Sequence, residues 1–207
     1  MKRVGVVQEK RHCRLRRLHR GEMPIDTVEM ARYLIGKILV HDLTVGRVSG
    51  RIVETEAYVV GDAAGHAFRG LTRRSRSLFL EHGHAYVHLA YGLHYLVNVV
   101  SEGSGVGAGV LLRALEPLDG ISYMQRHRAN APLLDLASGP GRLAQAMRID
   151  LRSDGKDLCA PGPLWLADAI RPAGEIGRSP RIGVSRAAHW LLRFYERNSP
   201  YVTGPIR

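Results

Sequence analysis

The stretch from residue 84 to residue 100 carries the pattern that most limits how this chain can fold. Residues 84–90 and 94–100 alternate apolar with polar or aromatic side chains, and the pair Tyr91-Gly92 separates them. Glycine adopts the positive φ angle of a tight hairpin turn without steric cost. Strands joined so closely must pair antiparallel, so we expect an antiparallel sheet that includes this hairpin.

The rest of the chain predicts a mixture of helices and strands without internal repeats. Asp26 is placed to cap a helix that ends before Gly36, and the Gly- and Arg-rich residues 61–76 indicate a loop. We find no linker, so we expect one domain over residues 23–207. The remaining predicted elements are helices at 27–35, 120–128 and 138–149, strands at 37–43, 47–59 and 110–117, and one short strand, PLWLAD, within the Gly- and Pro-rich residues 150–181.

Bulk properties narrow the class of protein. The 207 residues are 45 % hydrophobic, which suffices for one good core. The sequence has no apolar run of about 18 residues, which a membrane-spanning helix would need. The N-terminus is charged and lacks the apolar segment of a secretory signal, so we expect a cytoplasmic protein, associated with the nucleoid if the chain is bacterial. The two cysteines, Cys13 and Cys159, have neither metal-site spacing nor a plausible disulfide framework, as in a reducing compartment.

The charge balance points to a polyanionic partner. The formal net charge is +11, and only four of the thirty basic residues are lysines. Codon bias could explain the excess of arginine over lysine but not the net charge, so we expect nucleic-acid binding through phosphates. Residues 1–22 hold eight basic residues and two acids, which predicts either a mobile basic arm or an extension upstream of a natural start at Met23.

Two acids oppose this positive charge. In RIVETEAY (51–58), Glu54, Glu56 and Tyr58 occupy alternate positions, so we expect them on one face of a strand. Most such acids are simply solvated. A carboxylate on a surface built for a polyanion weakens binding, however, and therefore favours the role of a general base.

The segment HGHAYVHLAYGLHY (82–95) allows three interpretations. His84, Tyr86 and His88 share a strand face and could ligate a metal, although no supporting motif accompanies them. A Tyr- and His-rich hairpin is also ordinary amphipathic sheet. Alternatively, the flat side chains line a slot for a nucleobase while Tyr91 at the tip wedges into a duplex. Combined with the basic charge and the acid, the last interpretation favours base flipping.

Several strings resemble the alkyladenine (3-methyladenine) DNA glycosylase family, the mammalian-type methylpurine glycosylases with bacterial members. The resemblance runs in one register from about Met23 to Val202. It is carried by RIVETEAY (51–58), Gly65-His66, Tyr86, Tyr91-Gly92, Asn98, VLLRALEP (110–117), SGPGRL (138–143), RIGV (181–184), LRFY (192–195) and Ser199-Pro200.

The resemblance implies an α+β fold, a single compact domain with a curved, largely antiparallel sheet surrounded by helices and a protruding hairpin that intercalates into DNA. It implies hydrolysis of the N-glycosidic bond of alkylated or deaminated purines in double-stranded DNA, by a monomer without metal or other cofactor, as the first step of base excision repair. The implied catalytic residues are Glu56, Arg113 and the backbone carbonyl of Ile182, the implied substrate-binding residues are Tyr58, His66, Tyr86, His88 and Asn98, and the implied intercalating residue is Tyr91.

This chain departs from the family pattern in its base slot and in one loop. His88 stands where the family commonly has a tyrosine, and titration of a histidine there would affect cationic bases. The loop after His66 lacks the usual Pro and Asn after its Thr. Two alternatives remain: a nucleic-acid binder without catalysis, and a metallohydrolase that uses His84, His88 and His94.

Overall fold

The computed structural model describes residues 15–204. Within them are three α-helices and one sheet of eight strands. The helices are α1 (Thr27–Leu34), α2 (Ile121–His127) and α3 (Pro140–Ala146). The strands are β1 (Ile38–Leu43), β2 (Gly46–Tyr58), β3 (Ala85–Ala90), β4 (His94–Val100), β5 (Gly109–Asp119), β6 (Leu164–Ala167), β7 (Ile176–Ser179) and β8 (Arg193–Glu196).

The sheet is antiparallel at every pairing of these strands and follows the order β3-β4-β5-β2-β1-β6, with β8 on β2 and β7 on β8. It is curled, with the helices packed around it, which confirms the predicted α+β class. β2 is the longest strand, and β5 pairs with it along most of its length. On its other edge β2 pairs first with β1 and then, at Glu54–Glu56, with β8. The end of β2 that carries both acids is therefore enclosed by β5 and β8.

Register shifts interrupt the β2–β5 pairing beside the acids. Val53 is an extra residue in β2, and Arg113 is an extra residue in β5 at the following step of the ladder. A bulge redirects the side chains that follow it. Here the paired bulges place Arg113 within reach of both Glu54 and Glu56.

Helix α1 covers the opposite face of β2 and starts where the sequence predicts. The Asp26 carboxylate accepts hydrogen bonds from the backbone N–H groups of Val28 and Glu29, both at 2.9 Å. Met30 and Leu34 of this helix lie fully buried in the main core. The Thr55 hydroxyl donates to the Ala31 carbonyl at 2.9 Å, so Thr55 faces the helix while its neighbours Glu54 and Glu56 face away.

The predicted hairpin is present as β3 and β4. Tyr91 and Gly92 both have positive φ angles, 52° and 69°, and the Leu93 N–H donates to the Ala90 carbonyl at 3.0 Å. The connection contains three residues because Ala90 pairs with His94, one residue more than the expected two-residue turn.

Residues 15–22 differ from the predicted arm. Leu18 is fully buried and its N–H donates to the Leu166 carbonyl at 3.0 Å, so the segment adds to the edge of the sheet beside β6. Arg16 pairs with Asp168, and the Arg17 guanidinium lies 4.3 Å from the Trp165 ring centroid. These arginines interact within the protein, which charge counting alone does not reveal. The predicted arm's residues 1–14 lie outside the described residues.

The sequence did not predict two short strands and ended a third strand too early. β7 and β8 fall in stretches without a predicted strand, and each has only four residues. β5 continues two residues past Pro117 to Asp119. Among residues 15–204, no helix is long and apolar enough to cross a membrane.

Candidate active site

Glu54 is a buried carboxylate that joins the sheet to the C-terminal segment. It accepts hydrogen bonds from Arg113 Nε at 2.9 Å and from Arg193 Nε at 2.7 Å. The Thr203 backbone N–H and hydroxyl donate to it at 2.7 and 2.8 Å. With two guanidinium partners and no exposed surface, Glu54 acts as a structural anchor.

Glu56, two residues further along β2, has weaker partners. One carboxylate oxygen accepts from the Ile182 backbone N–H at 2.7 Å and lies 3.2 Å from Arg113 Nη1. The other oxygen accepts from the Tyr58 hydroxyl at 3.1 Å. Burial raises the pKa of Glu56, against the opposing effects of Arg113, the Ile182 N–H and the Tyr58 hydroxyl. A carboxylate whose pKa is raised in this way is suited to accept a proton.

Arg113 bridges the two acids and, unlike Glu56, keeps its charge. Burial disfavours its charge, but the carboxylates of Glu56 and Glu54 more than compensate and raise its pKa. Arg113 therefore stays cationic and fixes the position of Glu56 relative to Glu54.

A second buried ion pair holds Tyr58 and Ile182. Arg181 forms a two-point pair with Asp62, and it donates to the Ala57 carbonyl at 3.0 Å. Its guanidinium carbon lies 4.6 Å from the Tyr58 ring centroid, in cation–π contact. Arg181 thus fixes the ring of Tyr58 and, as the residue before Ile182, the position of the Ile182 backbone N–H. Tyr58 and Ile182 both contact Glu56.

A pocket of about 290 Å³ opens in front of Tyr58. Its wall includes three aromatic rings from the loop after β2 and from β3. Tyr86 and His88 stack with ring centroids 5.0 Å apart, and His66 meets His88 edge-on at 4.4 Å. His66 Nδ1 lies 2.8 Å from the Tyr86 hydroxyl, which fixes both rings. Flat walls of this kind suit a flat aromatic ligand.

The histidines of the pocket are neutral at physiological pH. Burial lowers the pKa of His88 to about 3, with smaller contributions from His66 and Arg74. Burial, followed by Arg74, also lowers the pKa of His66, and burial raises that of Tyr86 to about 12. Titration of His88 near neutral pH, considered from the sequence, is therefore not expected.

Two further predicted residues border the same pocket. Asn98 is buried and donates from Nδ2 to the Tyr86 carbonyl at 3.2 Å, across the β3–β4 pair. Tyr91 stands at the hairpin tip with 88 % of its surface exposed. The exposed ring gains little from packing, and its backbone adopts a positive φ that bulky residues rarely take, which together favour a role in contact with a partner.

The predicted site residues thus form two neighbouring groups. Tyr58, His66, Tyr86, His88, Asn98 and Tyr91 line the pocket. Glu56, Arg113 and Ile182 lie behind Tyr58 and do not line it. Ile182 contacts Glu56 through its N–H, whereas the resemblance implied its carbonyl.

The other histidines of the hairpin segment do not converge. His82 is buried against the Arg20 carbonyl, His84 Nδ1 lies 2.8 Å from the Glu81 carbonyl, and His94 is exposed. In the part of the chain that the structure describes, no three His, Cys, Asp or Glu side chains form a group able to hold a metal. The alternative with His84, His88 and His94 as ligands therefore has no geometric support.

Sequence reasoning missed four residues that organise the site: Asp62, Arg181, Arg193 and Thr203. Arg181 stands in the RIGV string that carries the resemblance, but nothing in that string indicates a buried ion pair with Asp62. Arg193 lies in the unpredicted strand β8. Only the fold brings these residues to the end of β2.

A basic chain with a flat-walled pocket beside a buried carboxylate is typical of enzymes that act on nucleobases. The comparison with known families is more specific, because residues 22–200 match the model described as methylpurine-DNA glycosylase (MPG). The chain belongs to this family and is a DNA glycosylase for alkylated bases.

Three relatives named "Putative 3-methyladenine DNA glycosylase" match this chain along most of their length. A protein of Mesorhizobium japonicum is 64 % identical over 90 % of this chain and 89 % of its own. One from Paraburkholderia phytofirmans is 52 % identical over 91 % and 88 %, respectively. One from Methanoculleus marisnigri is 46 % identical over 86 % and 94 %.

Proposed function

We propose that this enzyme flips a damaged purine out of duplex DNA into the aromatic pocket and hydrolyses its N-glycosidic bond with a water molecule activated by Glu56. The damaged purines include alkylated bases such as 3-methyladenine and deaminated bases. The product is an abasic site, which initiates base excision repair. The observation that carries this proposal is the contact of Tyr58, a wall of the pocket, with the buried carboxylate of Glu56.

The pocket supplies binding energy for a flipped base. Stacking on an aromatic ring contributes about 1–3 kcal/mol per base, which offsets part of the cost of unstacking it from the duplex. Tyr58, His66 and the stacked pair of Tyr86 and His88 provide such rings. Asn98 adds a polar group among them, where a base presents its edge.

Tyr91 supports the flipped state from outside the pocket. Its exposed ring at the hairpin tip is the right size and shape to occupy the gap that the flipped nucleotide leaves. The protein contributes this wedge as a monomer, with double-stranded DNA as its partner.

The chemistry requires a base and a counter-charge for the sugar. The bond between C1′ and the purine nitrogen breaks, and its electron pair leaves with the base. The oxygen of the water bonds to C1′ while Glu56 takes up one of its protons. The carboxylate also stabilises the positive charge that develops on the sugar. Arg113 and the Ile182 backbone hold Glu56 in position for both tasks.

A base-release assay tests the proposal. Duplexes that each carry one damaged purine are incubated with the protein and EDTA, and abasic sites are then cleaved with alkali. Strand cleavage at the damaged position is the expected result. No cleavage for any lesion, with DNA binding retained, would favour a binder without catalysis. Cleavage that EDTA prevents would favour metal-dependent hydrolysis.

A further inference from the structure

The pocket proposed to hold the base is lined by neutral side chains and by a positively charged side chain. Arg74 is the one charged side chain among the described residues that line it, beside the neutral rings of His66, Tyr86 and His88. Arg74 Nη2 donates to the Leu89 carbonyl at 3.1 Å, which holds its guanidinium against the hairpin. Arg74 itself is exposed, so it stands at the rim of the pocket. Its charge still acts on the pocket, because it adds to burial in lowering the pKa of His66 and His88.

The carboxylates near the pocket do not balance this charge. Three of them, Glu54, Glu56 and Asp62, are almost completely buried. Three guanidinium groups, those of Arg113, Arg193 and Arg181, pair with them, so the two sets cancel. A fourth carboxylate near Tyr86, that of Asp154, accepts hydrogen bonds from the Ser77 hydroxyl and the Val87 N–H and forms no ion pair with Arg74. Arg74 takes part in none of the ion pairs found within residues 15–204.

We infer that Arg74 is a specificity-determining residue that makes the pocket select uncharged damaged purines over positively charged ones. This inference rests on the proposed function. In DNA, 7-methylguanine carries a positive charge, whereas hypoxanthine is uncharged. Like charges within a partly enclosed pocket repel, so Arg74 disfavours entry of the cationic base.

The same charge acts differently on bond cleavage. The base loses one unit of charge as it departs, whether it starts cationic and leaves neutral or starts neutral and leaves as an anion. Arg74 favours this change equally for both classes. Its effect on the maximal rate is therefore shared, and its discrimination lies in binding. Because cationic bases leave more readily by themselves, Arg74 offsets part of their chemical advantage.

A competing role for Arg74 is a contact to the DNA backbone. Arg74 also borders a second, more open concavity of about 540 Å³, whose lining includes Arg69 and Arg186. A phosphate contact would strengthen binding of both classes of duplex to the same extent. The two roles therefore predict different patterns of affinity.

The test compares Arg74→Gln with the wild type on two duplexes of one sequence, which carry hypoxanthine or 7-methylguanine at one position. Single-turnover rates at several protein concentrations give the maximal rate and the half-saturating concentration for each. Arg74→Lys keeps the charge. Arg73→Gln is a matched control, because Arg73 is exposed like Arg74 but lines neither concavity.

For Arg74→Gln we expect the ratio of maximal rate to half-saturation, 7-methylguanine over hypoxanthine, to rise on the order of tenfold. The maximal rates should fall by a similar factor for both bases. Arg74→Lys and Arg73→Gln should keep the wild-type ratio. An unchanged ratio in Arg74→Gln, or equally weakened binding of both duplexes, would overturn the inference while leaving the proposed function intact. Release of neither base by the wild type would overturn both.

Discussion

Replacing either of two carboxylates on β2 by glutamine should affect a different property of the protein, its stability in one case and its activity in the other. Glu54 and Glu56 are both fully buried in β2 and both contact Arg113. Replacement by glutamine keeps the shape and removes the charge. The structure assigns stability to Glu54 and leaves Glu56 available for chemistry, so their glutamine variants should separate these two properties.

Glu54→Gln should be strongly destabilising. The new amide nitrogen would face donors, because Arg113, Arg193 and Thr203 all donate to the carboxylate. Removing one partner of a buried ion pair costs about 3–5 kcal/mol, since it leaves uncompensated charge. For a chain of this size, that loss lowers the midpoint of thermal unfolding by roughly 6–20 °C.

The free energy of unfolding of the Glu56→Gln variant should differ from that of the wild type by less than about 1 kcal/mol at pH 7. Burial raises the pKa of Glu56 above its value in the unfolded chain. The ionised form therefore opposes folding, and any stabilising contribution of this carboxyl at low pH is lost as the pH rises through its folded pKa. Glutamine removes that penalty and loses the contact with Arg113, and the two effects largely offset each other.

Urea unfolding at pH 7, monitored by circular dichroism, measures both variants. Thermal unfolding provides the second scale. Equal destabilisation by the two substitutions would refute the distinction between an anchoring and a reactive carboxylate, as would a Glu54→Gln variant as stable as the wild type.

Further predictions concern the hairpin tip, the pocket and the N-terminal segment. Tyr91→Ala should change the free energy of unfolding by less than about 0.5 kcal/mol but weaken the fluorescence signal of a flipped base analogue. Leu93→Ala, whose side chain is also exposed at the tip, should leave that signal unchanged, and equal signals from both variants would contradict the role of Tyr91 as a wedge. His88→Tyr should show the same pH dependence of excision as the wild type between pH 6 and 8, because the pKa of His88 is about 3; an inflection lost in the variant would contradict this. Leu18→Ala should cost about 2–5 kcal/mol in urea unfolding, and a negligible loss would mean that residues 15–22 do not pack on the sheet.

Local signals in the sequence were sufficient for the main elements. The cap at Asp26, the alternation around Glu56 and the glycine at position 92 each act over a few residues, so α1, β2 and the hairpin could be predicted. The expected common face of Glu54 and Glu56 is confirmed by their shared contact with Arg113.

Features that depend on pairing distant segments could not be predicted. The extra residue Arg113 in β5 exists only relative to the register of β2. The pair of Arg181 and Asp62 spans 119 residues of sequence. Four-residue strands such as β8 carry too little pattern to stand out from a Gly- and Pro-rich background. The residues that position the site were therefore harder to find than those that line its pocket.

Charge counting also has a limit that residues 15–22 illustrate. Arg16 and Arg20 contribute to the net charge of +11, yet they pair with Asp168 and Asp157. Net charge predicts the class of partner correctly, since the chain is a DNA glycosylase, but it does not show which arginines face the DNA.

The role of Glu56 can be tested most directly by following base flipping and base release in the same reaction. A duplex with ethenoadenine, a fluorescent damaged base, is mixed with Glu56→Gln or wild-type protein in a stopped-flow instrument, and free base is then quantified by chromatography. We expect the flipping signal to persist in the variant while release falls by about 10²–10⁴-fold. Release at the wild-type rate, or loss of the flipping signal together with release, would contradict the assignment of Glu56 as the general base.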